Sequence, residues 1–272
     1  MMKPTWLIEA NVQGLPSEAL QAEIRRQGME VHVVKPFLHA AKPGDILGAE
    51  SVGNDSVVLF TGTLTLMKYI QAHRRWRPGG WCNFENLACS RYYAHFGEAM
   101  LNRDYALLPF AEAARSENRL FEHYGQSGQI FVRPDSVGKS FSGKLISRDS
   151  YSEFTRATAI DATDLVMVAK PLSIACEWRL FIRQGRVIAK SQYRRDGRTD
   201  VSTDVPQDVV QYAEGVLDRV PWRPDPLFVI DVGESGDSLK IVELNSFSCS
   251  GQCAIDLEHY VAAASESAMM YT

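Results

Sequence analysis

The sequence predicts an α/β protein in two parts: a small parallel-sheet domain over residues 1–100 and a larger α+β domain over 101–272. Three observations predict it. Short apolar runs alternate with helical patterns through the first hundred residues. Two later stretches, 177–193 and 227–245, read as antiparallel hairpins. A chain of 272 residues with 45% hydrophobic and 23% charged residues has an ordinary globular composition and material for a sizeable core.

In order, Trp6-Leu7-Ile8 forms a strand, Ser17 caps a helix that stops at Gly28, and Val31–Val34 returns as a strand. Val57–Phe60 is the third strand, followed by Thr61-Gly62-Thr63 and a helix carrying Leu64, Met67 and Ile70. Ligands of such sheets sit beyond the carboxyl ends of the strands, which marks Asn11, Thr61, Gly62 and Thr63 as an edge to watch. Trp76 to Trp81 reads as a long loop, and its neighbours Arg74, Arg75 and Arg77 as a solvated basic cluster. A helix bearing Tyr92, Tyr93 and Phe96 follows, and Pro109 opens one that runs to about Tyr124. The second part has strands at Ile130–Arg133, Lys144–Ile146 and Leu165–Ala169. Its helices fall near Ser150–Arg156, Pro206–Val220 and Ile255–Ser267.

A net charge of −4 argues against a protein that coats nucleic acid. No apolar run approaches the about 20 residues that span a bilayer, and Met1–Thr5 carries no secretory apolar core before Glu9. The five cysteines are odd in number and form no CxxC pair, so reduced thiols and a cytoplasmic location are expected. Cys249 and Cys253, four residues apart, are a weak two-ligand metal signal.

Chemistry concentrates in four stretches. In Leu227–Asn245, Asp231, Glu243 and Asn245 interrupt runs of buried-strand residues. Glu243 and Asn245 share a face. Asp231 lies opposite Glu243 if the loop is the three residues Gly236–Ser238, and on the other face if the loop is even. Converging carboxylates are costly to bury without a cation, and hard oxygens of this kind suit Mg²⁺. The competing reading is an exposed sheet face with scattered acids. Asp135–Gly143 is a Gly/Ser-rich loop with Lys139, flanked by Arg133 and Lys144. It is not a Walker loop, because Arg133 stands where the first glycine belongs. In the hairpin Glu177–Tyr193, a two-residue turn at Gln184-Gly185 sets Arg179 opposite Lys190. Like charges there are useful when an anion lies between them; Glu177 on the same face is the structural alternative. Val166–Leu172 could line a base pocket with Val168 and Leu172 while Lys170 reaches a phosphate.

Taken in order, these stretches resemble an ATP-grasp enzyme. The resemblance covers roughly residues 105–265: a basic residue (Arg133) before a lid, a strand into the hinge at Val168–Leu172, Glu177-Trp178-Arg179, then Asp231 with Glu243-Leu244-Asn245. Arg133 replaces the usual lysine, as in an arginine-using branch of bacteria and phages. The resemblance implies an ATP-grasp fold, two α+β subdomains clasping ATP, behind a small α/β domain. It implies that Arg133 and Lys170 hold phosphates and that Arg179 faces the γ-phosphate. Asp231, Glu243 and Asn245 would hold Mg²⁺. Lys190 is added as a catalytic cation from the hairpin pairing, and Lys139, Lys144 and Glu177 as nucleotide contacts. The implied activity is ADP-forming ligation of a small-molecule or peptide carboxylate to an amine through an acyl phosphate. A kinase acting on a hydroxyl and a non-catalytic ATP-binding module are the alternatives. Tyr193, Arg194, Arg195 and Ser246–Ser250 are candidates to contact the substrates. Neither membrane nor nucleic-acid partners are expected, and a homodimer is compatible with the family's habits.

Overall fold

The computed structural model describes residues 3–12, 15, 17–35, 46–138 and 140–271, arranged around three sheets. The first is wholly parallel. It joins β1 (Thr5–Glu9), β2 (Val31–Val34), β3 (Val57–Thr61) and β4 (Arg77–Gly79) in the order β2-β1-β3-β4. Helices α1 (Ser17–Arg26) and α2 (Leu64–His73) connect its strands, as the alternating pattern predicts. The stretch read as a loop from Trp76 to Trp81 differs: Arg77–Gly79 pairs with β3 as a short edge strand. Proline at position 78 is tolerated there because an edge strand has donors to spare. Helix α3 (Cys89–Phe96) leads out of this unit.

The second sheet is antiparallel, in the order β5 (Tyr105–Pro109), β8 (Leu165–Ala169), β6 (Gln129–Pro134), β7 (Lys144–Ser147). One face is covered by α4 (Phe110–Arg115), α5 (Glu117–Tyr124) and α6 (Arg148–Ala157) through Phe121, Ile130, Val132, Tyr151, Phe154 and Val168. The single helix expected from Pro109 to Tyr124 is two, broken at Ser116.

The third sheet is also antiparallel: β11 (Arg198–Ser202), β10 (Arg186–Arg195), β9 (Cys176–Arg183), β12 (Leu227–Ser235), β13 (Ser238–Ser246). Alternation puts Leu180, Ile182 and Ile230 against Val209, Ala213 and Val216 of α7 (Gln207–Arg219). Phe181 and Val229 point the other way, into a core with Tyr260, Val261 and Ala264 of α8 (Leu257–Met270). The same core holds Trp6 and Leu59, so α8 lies between the first and third sheets. The Trp6 indole N–H donates to Ser265 Oγ at 3.1 Å, across 259 residues of sequence. Among the described residues, no helix is long and apolar enough to cross a membrane.

Two bulges set which side chains meet. The β9–β10 turn is the expected pair Gln184-Gly185, with φ of 50° and 78°, the left-handed values a two-residue hairpin turn requires. An extra residue, Ile188, then slips the register: Arg179 faces Ser191, and Lys190 faces Leu180. The expected Arg179–Lys190 pairing is therefore wrong. The β12–β13 turn is two residues, Gly236-Asp237, rather than three. A bulge at Val242 compensates, and Asp231 stands opposite Glu243 after all.

Candidate active site

A cleft of about 300 Å³ opens between the second and third sheets. Its apolar side is Phe131, Phe141, Leu145, Leu172 and Ile174; its polar side is Arg133, Glu177, Arg179, Tyr193, Arg194 and Glu243. The polar groups come from facing strands. Asp231 on β12 is the cross-strand neighbour of both Arg179 on β9 and Glu243 on β13.

Arg179 grips Asp231 with both arms, Nε to Oδ1 at 2.9 Å and Nη2 to Oδ2 at 2.8 Å, and its Nη1 donates to the Gly251 carbonyl at 3.3 Å. Asp231 is fully buried, where a carboxylate persists only with such partners. Asn245 Nδ2 bridges the acids, reaching Asp231 Oδ2 at 3.0 Å and Glu243 Oε1 at 2.9 Å. From the other sheet, Arg133 Nη2 donates to Glu243 Oε2 at 2.8 Å.

A second cluster adjoins. Tyr193, the bulged residue of β10, donates its hydroxyl to Glu177 Oε2 at 2.7 Å, and Arg194 Nη1 reaches Glu177 Oε1 at 3.1 Å. The Tyr193 ring has the Arg179 and Arg194 guanidinium carbons 4.9 and 5.9 Å from its centroid. Burial, followed by the charges of Asp231 and Glu177, raises the Tyr193 phenol well above its ordinary range, so it stays a donor. Burial opposes the charge of Arg179, but Asp231 outweighs it and holds the guanidinium protonated.

Residues 110–263, more than half of the chain, match the model of an ATP-grasp domain family, family 2 of its clade. The chain belongs to the ATP-grasp family. No curated protein matches it. Solved structures share the fold. The D-cycloserine synthetase DcsG superposes with a TM-score of 0.64 at 12% identity, covering 97% of this chain and 99% of its own. The RimK domain protein ATP-grasp from Sphaerobacter thermophilus gives 0.60 at 15% identity, covering 98% and 97%. The D-alanyl-alanine synthetase A from Vibrio cholerae gives 0.58 at 13%, covering 97% and 94%.

Within this ATP-grasp cleft, Arg133, Leu172, Glu177, Arg179 and Glu243 line the cavity, with Asp231 and Asn245 hydrogen-bonded behind them. The remaining expected contacts lie elsewhere. Lys190 shares the α7-facing side of its sheet with Leu180, away from Arg179. Lys144 pairs with Val132 on the helix-covered face, its ammonium 4.9 Å from the Phe154 ring centroid. The Val168 side chain is in that same helix-covered core. The Lys170 ammonium pairs with Asp104 at 3.3 Å. Lys139 lies outside the described residues. Arg195 pairs with Asp200, and Ser246 and Ser250 hydrogen-bond to backbone carbonyls. The parallel-sheet edge is a docking seat: the Gly62 N–H donates to the Ser248 carbonyl at 2.9 Å and Gln252 Nε2 to Thr61 Oγ at 3.2 Å.

Asp231, Glu243 and Asn245 fit a hard cation by donor chemistry: two carboxylates and an amide held within hydrogen-bond reach of one another. Rotating the Asn245 amide exchanges its bridging nitrogen for oxygen. Among the described residues, no group of three or more His, Cys, Asp or Glu is arranged to hold a metal. Tyr193 was legible only as a possible substrate contact. Its grip on Glu177 depends on a bulge that no local pattern announces.

Proposed function

We propose that this ATP-grasp chain is an ATP- and Mg²⁺-dependent carboxylate–amine ligase acting on a small-molecule or peptide acid. The supporting observation is that two arginines and two acids, from opposing sheets, meet in one cleft: Arg133 with Glu243, and Arg179 with Asp231. Arg133 and Arg179 would bind phosphate oxygens, and Asp231, Glu243 and Asn245 would hold Mg²⁺. The cation supplies neutralisation of charge on the transferring phosphoryl group. The Phe131, Phe141 and Leu172 side of the cleft suits a purine ring and excludes water.

The substrate carboxylate oxygen attacks the γ-phosphorus, the bond to the β-phosphate oxygen breaks, and ADP leaves. The amine then attacks the acyl carbon, phosphate departs, and the amine's proton passes to solvent. Arg179, partly buried and fixed on Asp231, is placed to stabilise the charge that develops on the transferring group. Such chemistry asks for positioning and charge, not a covalent protein nucleophile. The test is ADP release from Mg·ATP across a panel of acids and amines. Ligation predicts ADP, phosphate and an amide product in equal amounts. A phosphorylated acceptor without phosphate release would instead make the protein a kinase.

A further inference from the structure

Helix α3 lies upstream of the residues that match the family, yet it is built against Arg133. Its N-cap, Ala88, offers no side-chain acceptor. Asp135, two residues past Arg133, does the capping from outside: Oδ1 accepts from the Ser90 N–H at 2.6 Å and Oδ2 from the Ser90 hydroxyl at 2.9 Å. The Asp135 carbonyl also accepts from the Cys89 N–H at 2.9 Å. The Cys89 thiol reaches the Pro134 carbonyl at 3.8 Å and lies 3.3 Å from the Tyr92 hydroxyl. The first turn of α3 is thus pinned to the backbone that follows Arg133.

That register turns Tyr92 and Tyr93 into the core beside the guanidinium. Arg133 is itself 8% exposed, and after burial its electrostatic neighbours are Tyr92, Cys89, Glu243 and Tyr93. Burial keeps both phenols protonated. The Tyr93 hydroxyl is buried with no hydrogen-bond partner among the described residues, an arrangement folded proteins ordinarily avoid. Arg133, for its part, makes one side-chain hydrogen bond among the described residues, to Glu243. In the ligase reading Glu243 must also offer oxygen to a cation, which sets two positive charges on one carboxylate. A neutral phenol oxygen is an acceptor that carries no such conflict.

Resting on that reading, we infer that α3 is a positioning element of the phosphate site, with the Tyr93 hydroxyl as second acceptor for Arg133 when Glu243 turns to the cation.

The experiment is calorimetric titration of Mg·AMPPNP into the wild type, Tyr93→Phe, Arg133→Lys and the double variant, with melting temperatures for each. Tyr93→Phe removes an unpaired buried oxygen, so its melting temperature should hold or rise while nucleotide affinity falls about tenfold, the size of a hydrogen bond to a charged group. In the Arg133→Lys background the same change should cost less than about twofold, because the two residues act as one unit. Asp135→Ala, which unpins α3, should weaken the nucleotide without touching it. Wild-type affinity in Tyr93→Phe, or effects that multiply, would overturn the inference while leaving the ATP reading intact. A wild type that does not bind Mg·AMPPNP would overturn both.

Discussion

Arg133 Nη2 and Glu243 Oε2 stand 2.8 Å apart across the cleft, tying strand β6 of the second sheet to β13 of the third. Both side chains are largely buried, with exposures of 10% and 16%. The pair therefore bridges the two walls between which a nucleotide would lie.

Replacing Glu243 by Gln keeps an acceptor for Arg133 but removes the charge. ADP release should fall by roughly 10²-fold or more, the scale of losing one preorganised electrostatic contact. The melting temperature should move little. Steady-state ADP assays beside thermal melts check this, and full activity would remove Glu243 from the site.

Arg179→Ala strips the fully buried Asp231 of its bidentate partner. Breaking such a pair costs about 3–5 kcal/mol, read from urea midpoints at constant slope. Adding Asp231→Asn should recover part of that loss, since the orphaned charge is what destabilises.

Asp225 gives a pH signature away from the cleft. Burial pushes its carboxyl up to about 7, against a single Asn83 N–H at 2.6 Å. A raised acid means that between about pH 4 and pH 7 the folded state holds a proton that the unfolded state has lost. Its contribution to stability is complete below pH 4, declines through that window and is gone above about pH 7. Asp225→Asn should flatten this part of the stability–pH curve and stabilise the protein at pH 8 by on the order of 2 kcal/mol. An unchanged curve would count against it.

Gly62 sits where a Cβ would strike Glu9 and the Phe60 ring. Glu9 in turn accepts from the Thr63 N–H at 2.6 Å and its hydroxyl at 3.1 Å, fixing the start of α2. Gly62→Ala should destabilise by about 1–3 kcal/mol through overpacking, measured by denaturant titration.

The acids and arginines of the cleft were legible because each breaks an apolar strand pattern, as Asp231 breaks Leu227–Ile230. Their partners were not. Val242 and Ile188 are β-branched like any strand residue, and nothing local says that they bulge. In one hairpin the bulge cancelled a wrong guess about the turn; in the other it spoiled a right one. Strand β5 went unread, being short and closed by Pro109. So did β11, a mostly exposed edge with Arg198, Thr199 and Asp200 and no apolar alternation. The parallel sheet was read nearly whole, since its strands are continuous apolar runs between capped helices.

The bond from Trp6 to Ser265 has a bearing on biosynthesis. The opening strand leaves the ribosome early but completes its packing only when the closing helix emerges, so the parallel sheet waits half-made through most of translation. A nascent chain stalled before residue 257 should be open to proteases at its beginning as well as at its end.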